Sequence, residues 1–180
     1  MVLSIDLDGT GKTEIDTGIG FFDHMLDSFA RHGLFDLTVH TKGDLAVDCH
    51  HTVEDTGIVL GTAIREALGE KEGIRRFGDA ILPMDDALVL TAVDLSGRPY
   101  LGFEAQFTQE RVGYFDTEMV QEFFYAVACN AQMNLHIRQL AGANHHHIIE
   151  AMFKGFALSL REAVSLDERI EGVLSTKGSL

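Results

Sequence analysis

Two segments of this chain repeat the same pattern 96 residues apart. His50-His51-Thr52-Val53-Glu54 is followed after ten residues by Arg65-Glu66-Ala67. His146-His147-Ile148-Ile149-Glu150 is followed after ten by Arg161-Glu162-Ala163. A repeated His-His-x-x-Glu at the head of a repeated amphipathic segment makes the chain two copies of one unit. Each copy then carries the same set of imidazole and carboxylate donors, a set suited to a first-row divalent cation.

The two halves, about 1–84 and 85–180, are expected to pack as a single domain. The 180 residues suit one hydrophobic core, and no Pro/Ser-rich linker divides them. The first half reads as a strand over Val2–Asp8, a hairpin turn at Asp8–Gly11, a helix over Gly18–Gly33, a strand over Leu34–Thr41 and a long helix over Thr52–Leu68. The second half reads as strands over Ala87–Asp94 and Tyr100–Phe107, and a helix capped by Asp116 or Thr117 that runs to about Ala131. A strand over Met133–Gln139 and a helix over His146–Val164 complete it.

A net charge of −14 argues against a nucleic-acid partner. No apolar run is long enough to span a membrane. No signal peptide is visible, and Cys49 and Cys129 form no framework, which together point to the cytoplasm.

Helical spacing sets His51 on a face with Glu54, and His147 with Glu150, whereas adjacent histidines diverge by about 100°. Two ions follow, each held by a His-plus-Glu pair from one motif and a lone histidine from the other. His24 and Glu122 hold related places in the two halves and are further candidate ligands. His145 has no first-half counterpart and reads as a bystander; His40 and His136 read as structural. For an anionic ligand the basic candidates include Arg76, Arg98 and Lys177, the last in a Ser/Thr/Gly loop that offers hydroxyl and N–H groups.

Taken together, Leu7–Gly11, Thr17–Leu26, Arg31–Phe35, Asp48–Asp55, Arg76–Gly78, Asp94–Tyr100, Asn144–Glu150 and Ser175–Gly178 resemble the imidazoleglycerol-phosphate dehydratase family over nearly the whole chain. The resemblance implies an α/β (α+β) fold of duplicated halves like ribosomal protein S5 domain 2, with helices sandwiched between two mixed four-stranded sheets. It also implies two Mn2+ ions per active site and a homo-oligomer of 24 subunits built from trimers, with sites where subunits meet. The reaction implied is dehydration of D-erythro-imidazole-glycerol phosphate to imidazole-acetol phosphate in histidine biosynthesis.

Two cations beside the substrate ring would favour its imidazolate, and electron push from that ring would expel the adjacent hydroxyl. The resemblance carries over His24, His50, His51, Glu54, Glu122, His146, His147 and Glu150 as metal ligands. Glu54, Glu150 and His24 become candidates for proton transfer, and His24, His32, Arg76, Arg98, Ser175 and Lys177 for substrate binding. Two departures stand out. Many relatives have His where Glu122 stands. The family usually begins with a further strand bearing a Glu-Thr pair, and this chain starts beyond it. The alternative expectation is therefore a metal-assembled shell with impaired catalysis.

Overall fold

The computed structural model describes residues 1–180. In chain order the elements are β1 (Val2–Asp6), β2 (Thr13–Asp16), α1 (Gly20–Gly33), β3 (Asp36–His40), α2 (His50–Leu68), β4 (Phe77–Met84), β5 (Ala87–Asp94), β6 (Tyr100–Glu104), β7 (Arg111–Val112), β8 (Phe115–Asp116), α3 (Met119–Ala131), β9 (Asn134–Ala141) and α4 (His145–Val164).

The repeat is visible in the strand pairing. One sheet has the order β1-β3-β2, with β3 antiparallel to β1 and parallel to β2. The other contains β5-β9-β6, with β9 antiparallel to β5 and parallel to β6, and adds β4 outside β5. The sheets are mixed, as expected, but the first has three strands rather than four because β4 has no counterpart in it. β4 pairs with β5 as a hairpin across Asp85 and Asp86, so the strand before residue 85 belongs to the second sheet.

The turn at Asp8–Gly11 does not form a hairpin. β3 lies between the strands it joins, and the Asp36 carboxylate at the start of β3 accepts hydrogen bonds from the N–H groups of Thr10 (2.7 Å) and Lys12 (2.9 Å). These bonds hold the turn against β3 and leave β1 and β2 one strand apart.

The four helices lie between the sheets. α1 and α2 cover the first sheet, α3 and α4 the second, and α1 meets α4 while α2 meets α3. Phenylalanines fill this inner layer. Phe29 stacks on Phe156 (5.3 Å between centroids) and Phe123 on Phe153 (5.1 Å), while Phe22 meets Phe123 edge-on (5.3 Å). All five are buried in one continuous core drawn from both halves.

α3 starts at Met119, later than expected. Phe115–Asp116 pairs with Arg111–Val112 instead, and Asp116 binds Arg111 rather than capping the helix. No helix is long and apolar enough to cross a membrane.

Candidate metal centre and anion cleft

The second motif occupies the first turns of α4. Asn144 caps that helix by accepting the His147 N–H (3.3 Å). One helical turn separates His146 from Glu150, and His146 Nε2 lies 3.3 Å from Glu150 Oε2. His24, from the first turns of α1, approaches from across the helix layer, with Nε2 3.8 Å from Glu150 Oε1. Donor atoms of His24, His146 and Glu150 all lie within 4.8 Å of one another.

A first-row ion with ligands at about 2.1 Å sets neighbouring donors roughly 3–3.5 Å apart, so this imidazole–imidazole–carboxylate set fits one after small side-chain shifts. Lys154, one turn further along α4, donates to Glu150 Oε1 at 2.7 Å. Burial pushes the Glu150 carboxyl upward, but the bond and charge of Lys154, with His24 and His146, outweigh it and hold the group below the usual glutamate range.

The first motif is built alike and less completely. His50 Nε2 faces Glu54 Oε2 at 3.6 Å, again one turn apart, and Asp48 accepts the His50 N–H at the head of α2 (2.8 Å). In both motifs, then, the first histidine shares a face with the glutamate, not the second as the i,i+3 spacing suggested. The side chains of residues four apart meet here more closely than those three apart.

Glu122 stands ten residues before the left-handed cap Gln132 of α3, just as His24 stands ten before Leu34 of α1. It nevertheless joins no cluster with His50 and Glu54. Within one chain only the second motif gains a third donor.

The second histidines turn elsewhere. His51 Nδ1 is 2.9 Å from Asp44 Oδ2, and His147 Nδ1 is 2.7 Å from Asp86 Oδ1. Asp44 raises the His51 imidazole above its usual value and is itself lowered. The two histidine rings of each motif stand at 78° and 79° to one another.

His145 joins no donor cluster and has a structural role instead. It is buried, and its Nε2 accepts the Thr108 N–H at 3.0 Å, tying the loop after β6 to the head of α4.

Arg76, Arg98, Ser175 and Lys177 come together, lining a cleft of about 610 Å³ between the start of β4 and the C-terminal tail. Arg76 is already engaged there: Nε and Nη2 hold the Asp94 carboxylate (2.7 and 3.1 Å) and Nη1 donates to the Leu174 carbonyl. His32 belongs to neither site. It lies in the last turn of α1, where Nδ1 bonds the Ser28 carbonyl at 2.8 Å.

The cluster and the cleft are far apart in one chain. His146 opens α4, whereas the Arg76 N–H bonds Ala163 at its other end. Seventeen residues at 1.5 Å each put about 25 Å of helix between them. Lys154, Asp44 and Asp86 were not expected from sequence. Lys154 was legible as the residue one turn beyond Glu150, but the two aspartates sit in turns with no periodic signal.

The family model described as imidazoleglycerol-phosphate dehydratase matches residues 17–160. The chain is 65% identical over 180 residues to the imidazoleglycerol-phosphate dehydratase of Lachnoclostridium phytofermentans, covering 100% of this chain and 92% of that protein. It is 62% identical to that of Acetivibrio thermocellus with the same coverage. Among solved structures, the Staphylococcus aureus enzyme superposes with a TM-score of 0.86 at 43% identity, covering 92% of this chain and 93% of that one. The Pyrococcus furiosus enzyme, solved in complex with (S)-C348, gives 0.82 at 39% identity, covering 99% and 94%. With the family model spanning most of its length and relatives this similar over all of it, the chain belongs to the imidazoleglycerol-phosphate dehydratase family, whose members are hydro-lyases.

Proposed function

We propose that this protein converts D-erythro-imidazole-glycerol phosphate to imidazole-acetol phosphate in histidine biosynthesis, with two Mn2+ ions per active site. The observation that carries this reading is the meeting of His24 and His146 with the buried Glu150, an imidazole and carboxylate donor set, in a chain that also gathers cations around an open cleft.

His50 and Glu54 with Glu122 are the proposed holders of the second ion, and His51 and His147 the lone histidines that complete the two sets. When bound, divalent cations supply positive charge beside the substrate ring nitrogens, favouring the anionic ring.

The remaining work falls to side chains. The hydroxyl leaves from the carbon next to the ring, the proton leaves from the following carbon, and the resulting enol tautomerises to the ketone. Glu54, Glu150 and His24 are the proposed proton carriers, because a carboxylate or imidazole beside the reacting carbons can take the proton and return it to the ring-bearing carbon. Lys154 keeps Glu150 ionised, and so able to accept. Arg98, Lys177 and Ser175 grip the phosphate, and Arg76, braced by Asp94, adds charge to the same cleft.

The 25 Å of α4 between clamp and cleft exceeds the reach of one small substrate, which supports an active site shared between subunits and hence the homo-oligomer of trimers assembled to 24 chains.

The test is formation of imidazole-acetol phosphate by the purified chain after chelation and again after Mn2+ is restored. Loss and recovery of turnover are expected. A full-sized shell that binds Mn2+ without turnover would establish the impaired-shell reading instead.

A further inference from the structure

We infer that Asp44 and Asp86 are positioning residues that fix the ring orientation and tautomer of His51 and His147, so that each keeps its Nε2 lone pair as a donor; the inference rests on the metal reading above. His147 Nε2 also has the exposed Asp85 carboxylate 3.5 Å away, which can share a cation with it but has no proton to give it. Both contacts are made to Nδ1, at 2.9 and 2.7 Å, and both involve the second histidine of its motif.

The two aspartates are not related by the repeat. Asp44 lies seven residues before His51, in the connection between β3 and α2. Asp86 lies 61 residues before His147, in the hairpin turn of β4, the strand the first half lacks. Solvated surface ion pairs contribute little and have no reason to recur at matched atoms. Here unrelated segments deliver the same carboxylate to the same nitrogen twice.

A carboxylate can only accept from a neutral imidazole, so the Nδ1–H form is selected and the lone pair is left on Nε2. Such a partner both aims a ligating ring and raises its basicity.

Asp86 offers a sharp test. Its Oδ2 already accepts the N–H groups of Ala143 (2.7 Å) and Asn144 (3.0 Å), while Oδ1 faces His147. In Asp86→Asn the two backbone donors retain the oxygen, so the amide NH2 must turn to His147. The ring is then forced to the Nε2–H form, whose outward nitrogen cannot ligate.

The experiment uses the full chain as parent, Asp86→Asn and Asp44→Ala. Nitrogen NMR of metal-free, histidine-labelled protein at alkaline pH reads the tautomers, calorimetric titration with Mn2+ reads affinity, and melting confirms the fold. The expected result is loss of one Nδ1–H signal in each variant and Mn2+ binding weakened about 10- to 100-fold, with melting close to the parent. Should Asp44→Ala melt early, Asp86→Asn, which keeps its backbone contacts, carries the test. Variants that bind Mn2+ as tightly as the parent, with tautomers unchanged, overturn the inference. A parent that binds no Mn2+ overturns the metal reading itself.

Discussion

Of the two Glu150 oxygens, Oε1 takes the Lys154 ammonium at 2.7 Å and Oε2 faces His146 at 3.3 Å. The side chain is almost fully buried, and Lys154 is only 16% exposed. Removing the carboxylate outright would leave a lysine without its counter-charge, at a cost of about 1–3 kcal/mol. Glu150→Gln keeps an oxygen for Lys154 and removes the negative charge, which separates chemistry from folding. Turnover is expected to fall at least about 100-fold, because the side chain proposed both as proton acceptor and as cation donor is lost. The melting temperature at neutral pH should fall only modestly, by the loss of the charge attraction to Lys154. The sign of the pH effect follows from the lowered carboxyl value. A group depressed on folding stabilises above its unfolded value, near 4.3 for glutamate, and loses that contribution as pH falls through the folded value. Melting curves should therefore fall with acid below about pH 4, and less steeply in Glu150→Gln than in the parent.

Helix α2 reaches its place through two glycines one turn apart. A methyl group at Gly57 would lie 2.8 Å from the Phe123 carbonyl oxygen and 2.9 Å from Ala126 Cβ. At Gly61 it would lie 2.6 Å from the Val127 carbonyl oxygen and 3.0 Å from the Ala131 nitrogen. The backbones of α2 and α3 therefore touch, and α2 carries His50 and Glu54 at its head. Ala is the better helix former by about 1 kcal/mol, but overpacking against rigid backbone costs typically 1–3 kcal/mol. Gly61→Ala should lower stability by up to about 2 kcal/mol net, read by denaturant unfolding, and should loosen the first motif more than the second.

This packing also shows what was legible beforehand. The four helices and β5 follow from apolar spacing, and α2 and α4 were readable twice because the chain repeats them. β4 was not readable. Phe77, Asp79, Ile81 and Pro83 point outward, so alternating exposure cuts across its hydrophobicity, and Pro83 signals a break. The true order of β1, β3 and β2 depends on Asp36 reaching back 24 and 26 residues to Lys12 and Thr10, which no local pattern records. Within the site, residue types and the repeat singled out His24, His146 and Glu150, which the structure brings together, whereas the helix-face reading paired the other histidine with each glutamate. The choice of the first histidine over the second as partner to each glutamate depended on Asp44 and Asp86, supplied from turns.

At the scale of the molecule, the proposed function asks a clamp at one end of α4 and a cationic cleft at the other to serve one substrate. About 25 Å of helix separates them, and α4 is packed along its length by β4, β5 and α1, so bending cannot close the gap. A second chain must therefore bring its cleft to the first chain's clamp if both act on the same molecule. Two variants, each dead alone, decide the matter: His146→Ala damages only the clamp and Lys177→Ala only the cleft. Each homogeneous variant lacks one component at every site. In shells reassembled from equal amounts of both, a site pairing an intact clamp on one chain with an intact cleft on another arises by chance at about a quarter of positions, the expectation for a heterologous contact between random neighbours. Turnover of the mixture should approach about a quarter of the parent, with Mn2+ present throughout. Were each site complete within one chain, every chain in the mixture would still carry one defect, and the mixed shells would be as inactive as their parents. With the proposed shell, mixing the variants after folding, without dissociation and reassembly, should restore nothing, since chains would exchange no neighbours in an intact assembly.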